Sequence, residues 1–362
     1  MAPKLMKNLL TFLLFIVSTL GLHAQDEGFT QKANALIEAK MKEYQIPGLA
    51  VAVVKGSKII YAKGHGVANV ETQKPVTELS VFHTASVSKL FTALAIMELV
   101  IENKLSLEDR LTEVIPSLSY KKEAVEAITI RQLLNHTSGL PDIWNYQWTN
   151  GHTDENALRT YLENKKLRLA SQPGAEYKYS NLGYDLLGLV VEQVTGKTFE
   201  SYIKEQWLSP SGMINSDFYY PNITEKRRTS PHTLKGKTTV VRKTYPYTRE
   251  HAPSSTLNSN VVDLSLWMIR FMKTLQKSDH KATYWSMLKP TPEHNYMGLG
   301  FQLGEINGQQ KAGHYGGDKG YRSYLFMIPD KELGFVLLAN GDHNEDIRQE
   351  VLHPLATALL DQ

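Results

Sequence analysis

The strongest constraint on the fold is a run of residues that is apolar on nearly every face, Leu90–Val100. A helix that is hydrophobic all round is normally buried in the middle of a domain. Directly before this run stand Ser86 and Lys89, three residues apart. If the helix begins near Ser86, the two side chains lie on one face, one turn apart. The sequence therefore predicts a central buried helix with a hydroxyl and an amine at its start.

A serine in this position has the chemistry of a nucleophile. The first N–H groups of a helix have no partner inside it, so Ser86 would sit at the positive end of the helix dipole. An amine that takes the hydroxyl proton would activate the oxygen for attack. Ser-x-x-Lys is a common tetrapeptide, however, so its meaning depends on what else the chain contains.

Two further motifs follow downstream. The segment Tyr179–Asn181 comes after a turn-rich stretch and precedes a helical pattern that Gly196 would end. Near the C-terminus, the segment His314–Gly317 precedes a predicted strand pair, Tyr321–Pro329 and Leu333–Asn340. The chain thus presents a serine and lysine, a tyrosine and asparagine, and a glycine-rich tetrapeptide in that order.

These three motifs resemble those of the serine β-lactamase and penicillin-binding-protein superfamily, specifically its class C β-lactamase and D,D-peptidase branch. That branch carries Tyr-x-Asn at the second motif, as this chain does, and the phrase Leu133–Pro141 is typical of it. The resemblance implies an α+β fold in which an antiparallel sheet, built from both chain ends and flanked by helices, receives an inserted, mainly helical subdomain. We expect the sheet subdomain at about 25–85 and 213–362 and the helical subdomain at about 86–212.

The coarse hydrophobic pattern agrees with this architecture. Strands and terminal helices are predicted at both ends of the chain. They are the helix Thr30–Tyr44, the strands Leu49–Val54, Ile59–Ala62, Met297–Leu303, Tyr321–Ile328 and Leu333–Leu338, and the helix Ile347–Leu360. The motifs would then converge where the two subdomains meet, which is a usual place for a cleft.

The resemblance also implies a role for each motif residue. Ser86 would be the nucleophile, and either Lys89 or Tyr179 would be its general base. Asn181 would orient the substrate and hold Lys89, or else cap the helix that follows. The remaining predicted substrate-binding residues belong to the third motif: His314, Tyr315, Gly316 and Gly317.

Within the third motif, the expected contributions differ. The backbone N–H groups of Gly317 and Ser86 would form the oxyanion hole. His314 would add positive charge or a hydrogen bond, and Tyr315 replaces the small hydroxyl residue that usually contacts the substrate carboxylate. No cofactor or metal is required by this chemistry, and the histidines form no metal-binding motif. We expect His83 and His136 to be structural.

Composition excludes several other classes. The chain has no cysteine, so disulfides and thiolate chemistry are absent. Its 40 basic and 37 acidic residues are nearly balanced, which gives no reason to expect nucleic-acid binding. The charged start with Lys4 and Lys7, the apolar run Leu9–Leu22 and the following Ala24 predict a signal peptide at 1–24. We therefore expect an exported protein, periplasmic or secreted, without stable membrane insertion.

The sequence thus predicts an exported serine hydrolase of the D,D-carboxypeptidase or β-lactamase kind, with a small-molecule or cell-wall peptide substrate. An esterase on the same scaffold and a non-catalytic binding protein are the alternatives. The segment 220–251 is rich in basic residues, and we interpret it as a solvated loop or hairpin rather than a substrate-attracting flap. The oligomeric state is left open.

Overall fold

The computed structural model describes residues 27–120, 123–143, 145–148, 153–292 and 294–361. The predicted signal peptide, residues 1–24, and the expected cleavage after Ala24 lie outside these ranges. Over the described residues, no helix is both long enough and apolar enough to cross a membrane.

Strands form at both ends of the described chain. They are β1 (Gly48–Lys55), β2 (Lys58–Asn69), β3 (Lys74–Pro75), β4 (Phe82–His83), β5 (His232–Lys235), β6 (Thr238–Val241), β7 (Asn258–Ser259), β8 (Gln302–Ile306), β9 (Gln309–Asp318), β10 (Tyr321–Ile328) and β11 (Leu333–Ala339). Seven of them make one antiparallel sheet in the order β3–β2–β1–β11–β10–β9–β8. Because β1 pairs with β11, for example Val53 opposite Phe335, the two chain ends share one sheet as predicted.

Helices cover both faces of this sheet and fill the middle of the chain. They are α1 (Glu27–Tyr44), α2 (Ser88–Ile101), α3 (Leu111–Val114), α4 (Ile130–Leu134), α5 (Ala157–Glu163), α6 (Asn181–Thr195), α7 (Phe199–Ile203), α8 (Ala252–Ser255), α9 (Val261–Lys277), α10 (Lys281–Ser286) and α11 (Ile347–Leu360). The terminal helices α1 and α11 pack together on one face, whereas α2, α6 and α9 belong to the core on the other face. We call these the terminal-helix face and the nucleophile face.

The apolar run identified from the sequence is α2, and it is buried as predicted. Ala93 and Leu94 at its centre have no exposed surface. The backbone at Gly300 lies close against α2, because a Cβ placed on Gly300 would lie 2.3 Å from the Cβ of Ala93. Neighbouring residues pack against all sides of α2, as expected for a helix that has no polar face.

Near the C-terminus, one strand prediction was wrong and one strand was not predicted. The predicted strand Met297–Leu303 is displaced, and β8 begins only at Gln302. Gly300 adopts φ +87° and a Cβ on Gly298 would meet the Met287 carbonyl oxygen at 2.1 Å, so this stretch turns closely against its neighbours instead of extending. The strand β9 was not predicted, because its glycines have low strand propensity.

Candidate active site

Ser86 lies in a tight turn immediately before the central helix. The turn Ala85–Val87 is a 3₁₀ helix, and α2 itself begins at Ser88, two residues later than expected. Ala85 has φ +48°, a left-handed conformation that a residue with a Cβ rarely adopts. Ser88 holds this turn by donating its hydroxyl to the Ala85 carbonyl at 2.6 Å and by accepting the Leu257 N–H at 2.9 Å. Backbone strain of this kind is typical of functional sites.

Lys89 is fully buried, and its amine has three oxygen neighbours. The Nζ atom lies 2.6 Å from Asn181 Oδ1, 2.6 Å from the Ser254 carbonyl oxygen and 3.1 Å from Ser86 Oγ. Burial lowers the pKa of Lys89 to about 7, although the carboxylates of Asp185, Asp142 and Asp318 act in the opposite direction. A large share of the amine is therefore uncharged at neutral pH.

The Lys89 amine donates to all three of these oxygens, and two of them are carbonyl oxygens. A neutral amine has two N–H donors and one lone pair. The carbonyl oxygens of Asn181 and Ser254 can only accept, so they take both donors. In the charged form a third N–H donates to Ser86 Oγ, and loss of that proton leaves a lone pair facing the Ser86 hydroxyl. The arrangement thus suits a base that accepts a proton from the serine.

Tyr179 contacts the same oxygen from another side. Its phenol donates to Ser86 Oγ at 2.9 Å. Burial raises the pKa of Tyr179 far above its ordinary value, so the phenol keeps its proton at neutral pH. The ring packs against His136 at 4.4 Å between centroids, and His136 Nδ1 accepts the Ser180 N–H. His136 therefore supports the Tyr179 segment from behind.

Asn181 is the first residue of α6 rather than its cap. The cap is Ser180, whose hydroxyl accepts the Gly183 N–H at 3.1 Å, so the alternative prediction for Asn181 was wrong. The backbone and side-chain amides of Asn181 both donate to Asp142 Oδ1, at 2.9 and 3.0 Å. This leaves Asn181 Oδ1 turned to Lys89. Asp142 fixes the orientation of the amide on which Lys89 depends.

His314 lies on β9 and carries no positive charge at neutral pH. Its side chain is 1% exposed, and burial together with the charge of Lys89 lowers its pKa to about 3. The Nδ1 atom lies 2.5 Å from the Tyr315 carbonyl oxygen, which can only accept, so the ring proton sits on Nδ1. Of the two roles expected for His314, positive charge is excluded and hydrogen bonding remains.

Gly316 brings β9 against the nucleophile. A Cβ at this position would lie 2.3 Å from the Thr84 carbonyl oxygen and 3.2 Å from the Ser86 nitrogen. Only glycine permits this approach. Gly317 follows it on the strand and pairs with Arg322 of β10. The structure thus places the third motif beside the backbone of Ser86.

The expectation that the phenol of Tyr315 contacts substrate was wrong. Side chains alternate along a strand, so Tyr315 faces away from His314 and Gly316. Its ring stacks on Tyr324 at 3.8 Å and belongs to the core of the terminal-helix face, where Arg348 lies over it. The replacement of a small hydroxyl residue by tyrosine therefore adds a packing residue on the opposite side of the sheet.

Three further residues complete the site. Asp142 directly follows the recognised phrase Leu133–Pro141, so its position was a usable signal. Ser254 contributes a carbonyl oxygen, which no side-chain motif can reveal. Asp318 ends β9 and accepts from Ser255 at 2.6 Å and from His83 at 3.1 Å. In the described part of the chain, no three histidine or acidic side chains converge as a metal site would require.

Comparison with known proteins matches nearly the whole described chain. The beta-lactamase family model matches residues 33–358. Protein flp of Staphylococcus aureus (strain MW2) is 31% identical over 321 residues, which cover 86% of this chain and 63% of that protein. This chain therefore spans less than two thirds of the length of that relative.

Solved structures share the same architecture. The octameric penicillin-binding protein homologue from Pyrococcus abyssi has a TM-score of 0.78 at 27% identity, covering 91% of this chain and 77% of that one. A class C beta-lactamase has a TM-score of 0.77 at 21% identity, covering 93% of this chain and 98% of that one, a likeness that concerns the fold alone. With a family match from residue 33 to residue 358, the chain belongs to the beta-lactamase family.

Proposed function

We propose that this protein is an exported serine hydrolase that cleaves amide bonds through an acyl-enzyme at Ser86, as D,D-carboxypeptidases do. The observation that carries the proposal is the position of Ser86 Oγ, 3.1 Å from the Lys89 amine and 2.9 Å from the Tyr179 phenol. Both distances suit transfer of a proton to or from a nucleophile.

Lys89 is the base in this proposal. Its pKa of about 7 leaves a lone pair available at neutral pH, and both its N–H donors are already occupied. As Ser86 Oγ bonds to the substrate carbonyl carbon, the hydroxyl proton passes to Lys89 and the carbonyl oxygen becomes an oxyanion. The N–H groups of Ser86 and Gly317 would stabilise that charge, an effect worth about 3 kcal/mol in related chemistry.

Tyr179 is the proton donor to the leaving group. Its raised pKa keeps the phenol protonated, so it suits donation better than abstraction. When the C–N bond breaks, the phenol protonates the departing nitrogen and the Lys89 ammonium restores the phenol. The product is an ester on Ser86, which water hydrolyses by the same two residues in reverse. Asn181 holds Lys89 throughout.

An esterase on the same scaffold is the second candidate, and a specific observation favours it. A D-Ala peptide or a penicillin brings a carboxylate that needs a cation or several donors when it is bound in a cleft. His314 is uncharged and the Tyr315 phenol lies on the opposite face. Neither residue expected to meet that carboxylate supplies a positive charge, whereas a simple ester makes no such demand.

Covalent labelling tests the shared part of both candidates. A fluorophosphonate and a fluorescent penicillin should be incubated with the purified protein, with peptide mapping of the adduct. We expect labelling at Ser86, its loss in Ser86→Ala, and normal labelling in Ser57→Ala, a control at the exposed turn between β1 and β2. Absence of label from both probes would favour a non-catalytic binding protein.

Turnover separates the two candidates. Release of D-Ala from a pentapeptide supports the carboxypeptidase, and rapid hydrolysis of nitrocefin supports a β-lactamase. Turnover of p-nitrophenyl acetate without either activity supports the esterase.

Export is part of the proposal and stands on the sequence pattern of residues 1–24. Expression with the native N-terminus followed by intact-mass measurement tests it. We expect a mature chain that begins at Gln25 in the extracytoplasmic fraction. A chain that retains residues 1–24 would contradict cleavage.

A further inference from the structure

A buried hydrogen bond between a carboxylate and an imidazole lies near the proposed base and has no role in the mechanism above. Asp185 Oδ2 accepts from His251 Nδ1 at 2.7 Å. Asp185 has no exposed surface and His251 is 1% exposed. The second oxygen of the carboxylate, Asp185 Oδ1, is buried without a hydrogen-bond partner. Such a group is costly, so its retention calls for a physical reason.

The pair joins two elements that pack unusually closely. Asn181, Asp185 and Gly188 share one face of α6, because they are spaced by four and three residues. A Cβ on Gly188 would lie 2.0 Å from Pro253 Cγ, so the proline ring of α8 packs directly against the backbone of α6 there. On the far side, Thr92 of α2 donates to the Pro253 carbonyl oxygen at 2.6 Å. The segment of α8 is thus held between α2 and α6.

Each joined element supplies one acceptor to the Lys89 amine. Asn181 lies four residues before Asp185, and Ser254 lies three residues after His251. The separation between these two acceptors decides whether both N–H donors of the neutral amine are satisfied. A tie between α6 and the start of α8 therefore bears on how the Lys89 amine is oriented toward Ser86.

We propose that Asp185 and His251 form a positioning pair that sets both the orientation and the basicity of Lys89. This inference rests on the proposed function, because it assigns the pair to the base of that reaction. Geometry supplies the orientation, through the tie between the two acceptor-bearing elements. Charge supplies the basicity, because a nearby carboxylate favours the ammonium over the neutral amine.

The charges around Lys89 determine the direction in which loss of Asp185 shifts the pKa of Lys89. Among the charges that act on Lys89, the Asp185 carboxylate raises its pKa most, followed by Asp142 and Asp318. His136 and His314 also face this region, but burial lowers the pKa of both, so they are neutral. Without Asp185, burial would lower the pKa of Lys89 further and weaken it as a base.

A purely structural role is the competing explanation. The rings of Tyr146, Tyr161 and Trp148 surround the His251 ring edge-on, so the pair could serve only to fill this core. The two explanations differ in what they predict for pH dependence. Loss of packing alone lowers stability and leaves the pKa that governs acylation unchanged.

The rate of Ser86 labelling by a fluorophosphonate, measured from pH 5 to 10, tests the proposal. In Asp185→Asn, which keeps the shape and a hydrogen bond to His251, we expect the acid limb to move down by about one pH unit. The plateau should fall about tenfold, because a weaker base accepts the proton less readily. Glu192→Gln is the matched control, since Glu192 is a buried carboxylate on the same helix that binds the Phe199 N–H.

Replacement of His251 keeps the test informative if Asp185→Asn does not fold. His251→Asn retains a donor at the Nδ1 position and should preserve most of the labelling rate. His251→Leu fills the same space without a donor and should lose at least tenfold. An unchanged acid limb in Asp185→Asn, or equal rates in the two His251 variants, would overturn the inference. If the native protein is not labelled at Ser86, the proposed function fails first.

Discussion

Two lysines with lowered pKa, the buried Lys89 and the half-buried Lys311, lie on opposite faces of the same sheet, and only the first of the two has the surroundings of a base. Lys89 contacts Ser86, Asn181 and the Ser254 carbonyl oxygen on the nucleophile face. Lys311 lies on the terminal-helix face, 2.8 Å from the Tyr324 phenol and 2.9 Å from His353 Nε2. Burial lowers the pKa of Lys89 to about 7 and that of Lys311 to about 8.

A lowered lysine pKa is therefore insufficient to identify a general base. Desolvation alone accounts for the shift at Lys311, where two aromatic rings lie within 5.5 Å of the amine. At Lys89 the same effect is combined with two carbonyl acceptors and a serine hydroxyl 3.1 Å from the amine. Orientation and a nucleophile therefore distinguish the candidate site from a lysine that is merely buried.

The largest effect should come from removing each amine in turn. In Lys89→Met, the rate of Ser86 acylation by p-nitrophenyl acetate should fall by about 10³-fold, within the range for a general base. In Lys311→Met, the rate should change less than about threefold, because no reacting group depends on it. Stopped-flow or steady-state ester assays at pH 8 measure both. Equal losses in the two variants would remove the distinction.

A smaller effect is expected from the two tyrosines whose rings lie beside these lysines, Tyr179 and Tyr324. Tyr179→Phe should lower turnover of an anilide about 10²-fold, because the leaving nitrogen then lacks its proton donor. For an aryl ester, whose leaving group needs no proton, the loss should be smaller. Tyr324→Phe is the control on the other face and should leave both rates near native. A Tyr179→Phe loss that is the same for ester and anilide would contradict the donor role.

Stability should depend on pH through Lys89. Its folded-state pKa, about 7, lies below the unfolded value of 10.5, so between these pH values the unfolded chain binds more protons. The contribution of Lys89 to the free energy of unfolding is therefore lowest below pH 7 and rises toward pH 10.5. Lys89→Met removes this dependence. The variant should be more stable than the native protein, and this difference in unfolding free energy should be about 2 to 3 kcal/mol larger at pH 6 than at pH 9.

Urea unfolding at the two pH values measures this difference. Lys311→Met should show the same sign with a smaller difference, since the pKa of Lys311 is lowered less. A gain in Lys89→Met that is equal at pH 6 and pH 9 would mean that the folded-state pKa of Lys89 is not lowered.

The smallest effect is expected at Tyr315. Tyr315→Phe keeps the ring that stacks on Tyr324 and should change kcat/KM for any substrate less than about twofold. The measurement sharpens the assignment of Tyr315 to the terminal-helix face. A loss of kcat/KM above tenfold would mean that the Tyr315 phenol contacts the substrate and would contradict this assignment.

Sequence patterns predicted the sheet from both chain ends and the buried central helix, because these follow from hydrophobic periodicity and length. They also selected Ser86, Lys89, Tyr179 and Asn181, which the fold brings together from positions up to 95 residues apart. The two motifs that hold these residues each lie at the start of a helix, where local spacing fixes which side chains share a face.

The errors arose where tertiary contacts decide the outcome. The strand β9 was missed because it contains Gly316, which has low strand propensity. That glycine is present because it lets β9 approach the backbone of Ser86 closely. Tyr315 was misassigned because the face of an unrecognised strand could not be derived. The Ser254 carbonyl oxygen and the Asp185–His251 pair belong to packing between distant helices, which leaves no local pattern.

The most direct test of the central claim is the pH dependence of Ser86 acylation in the native protein. A fluorophosphonate should be reacted from pH 5 to 10 and the modified residue identified by peptide mapping. We predict an adduct on Ser86 whose rate of formation rises through an apparent pKa of about 7 and then levels off. A rate that keeps rising with hydroxide to pH 10, or an adduct on another residue, would contradict it.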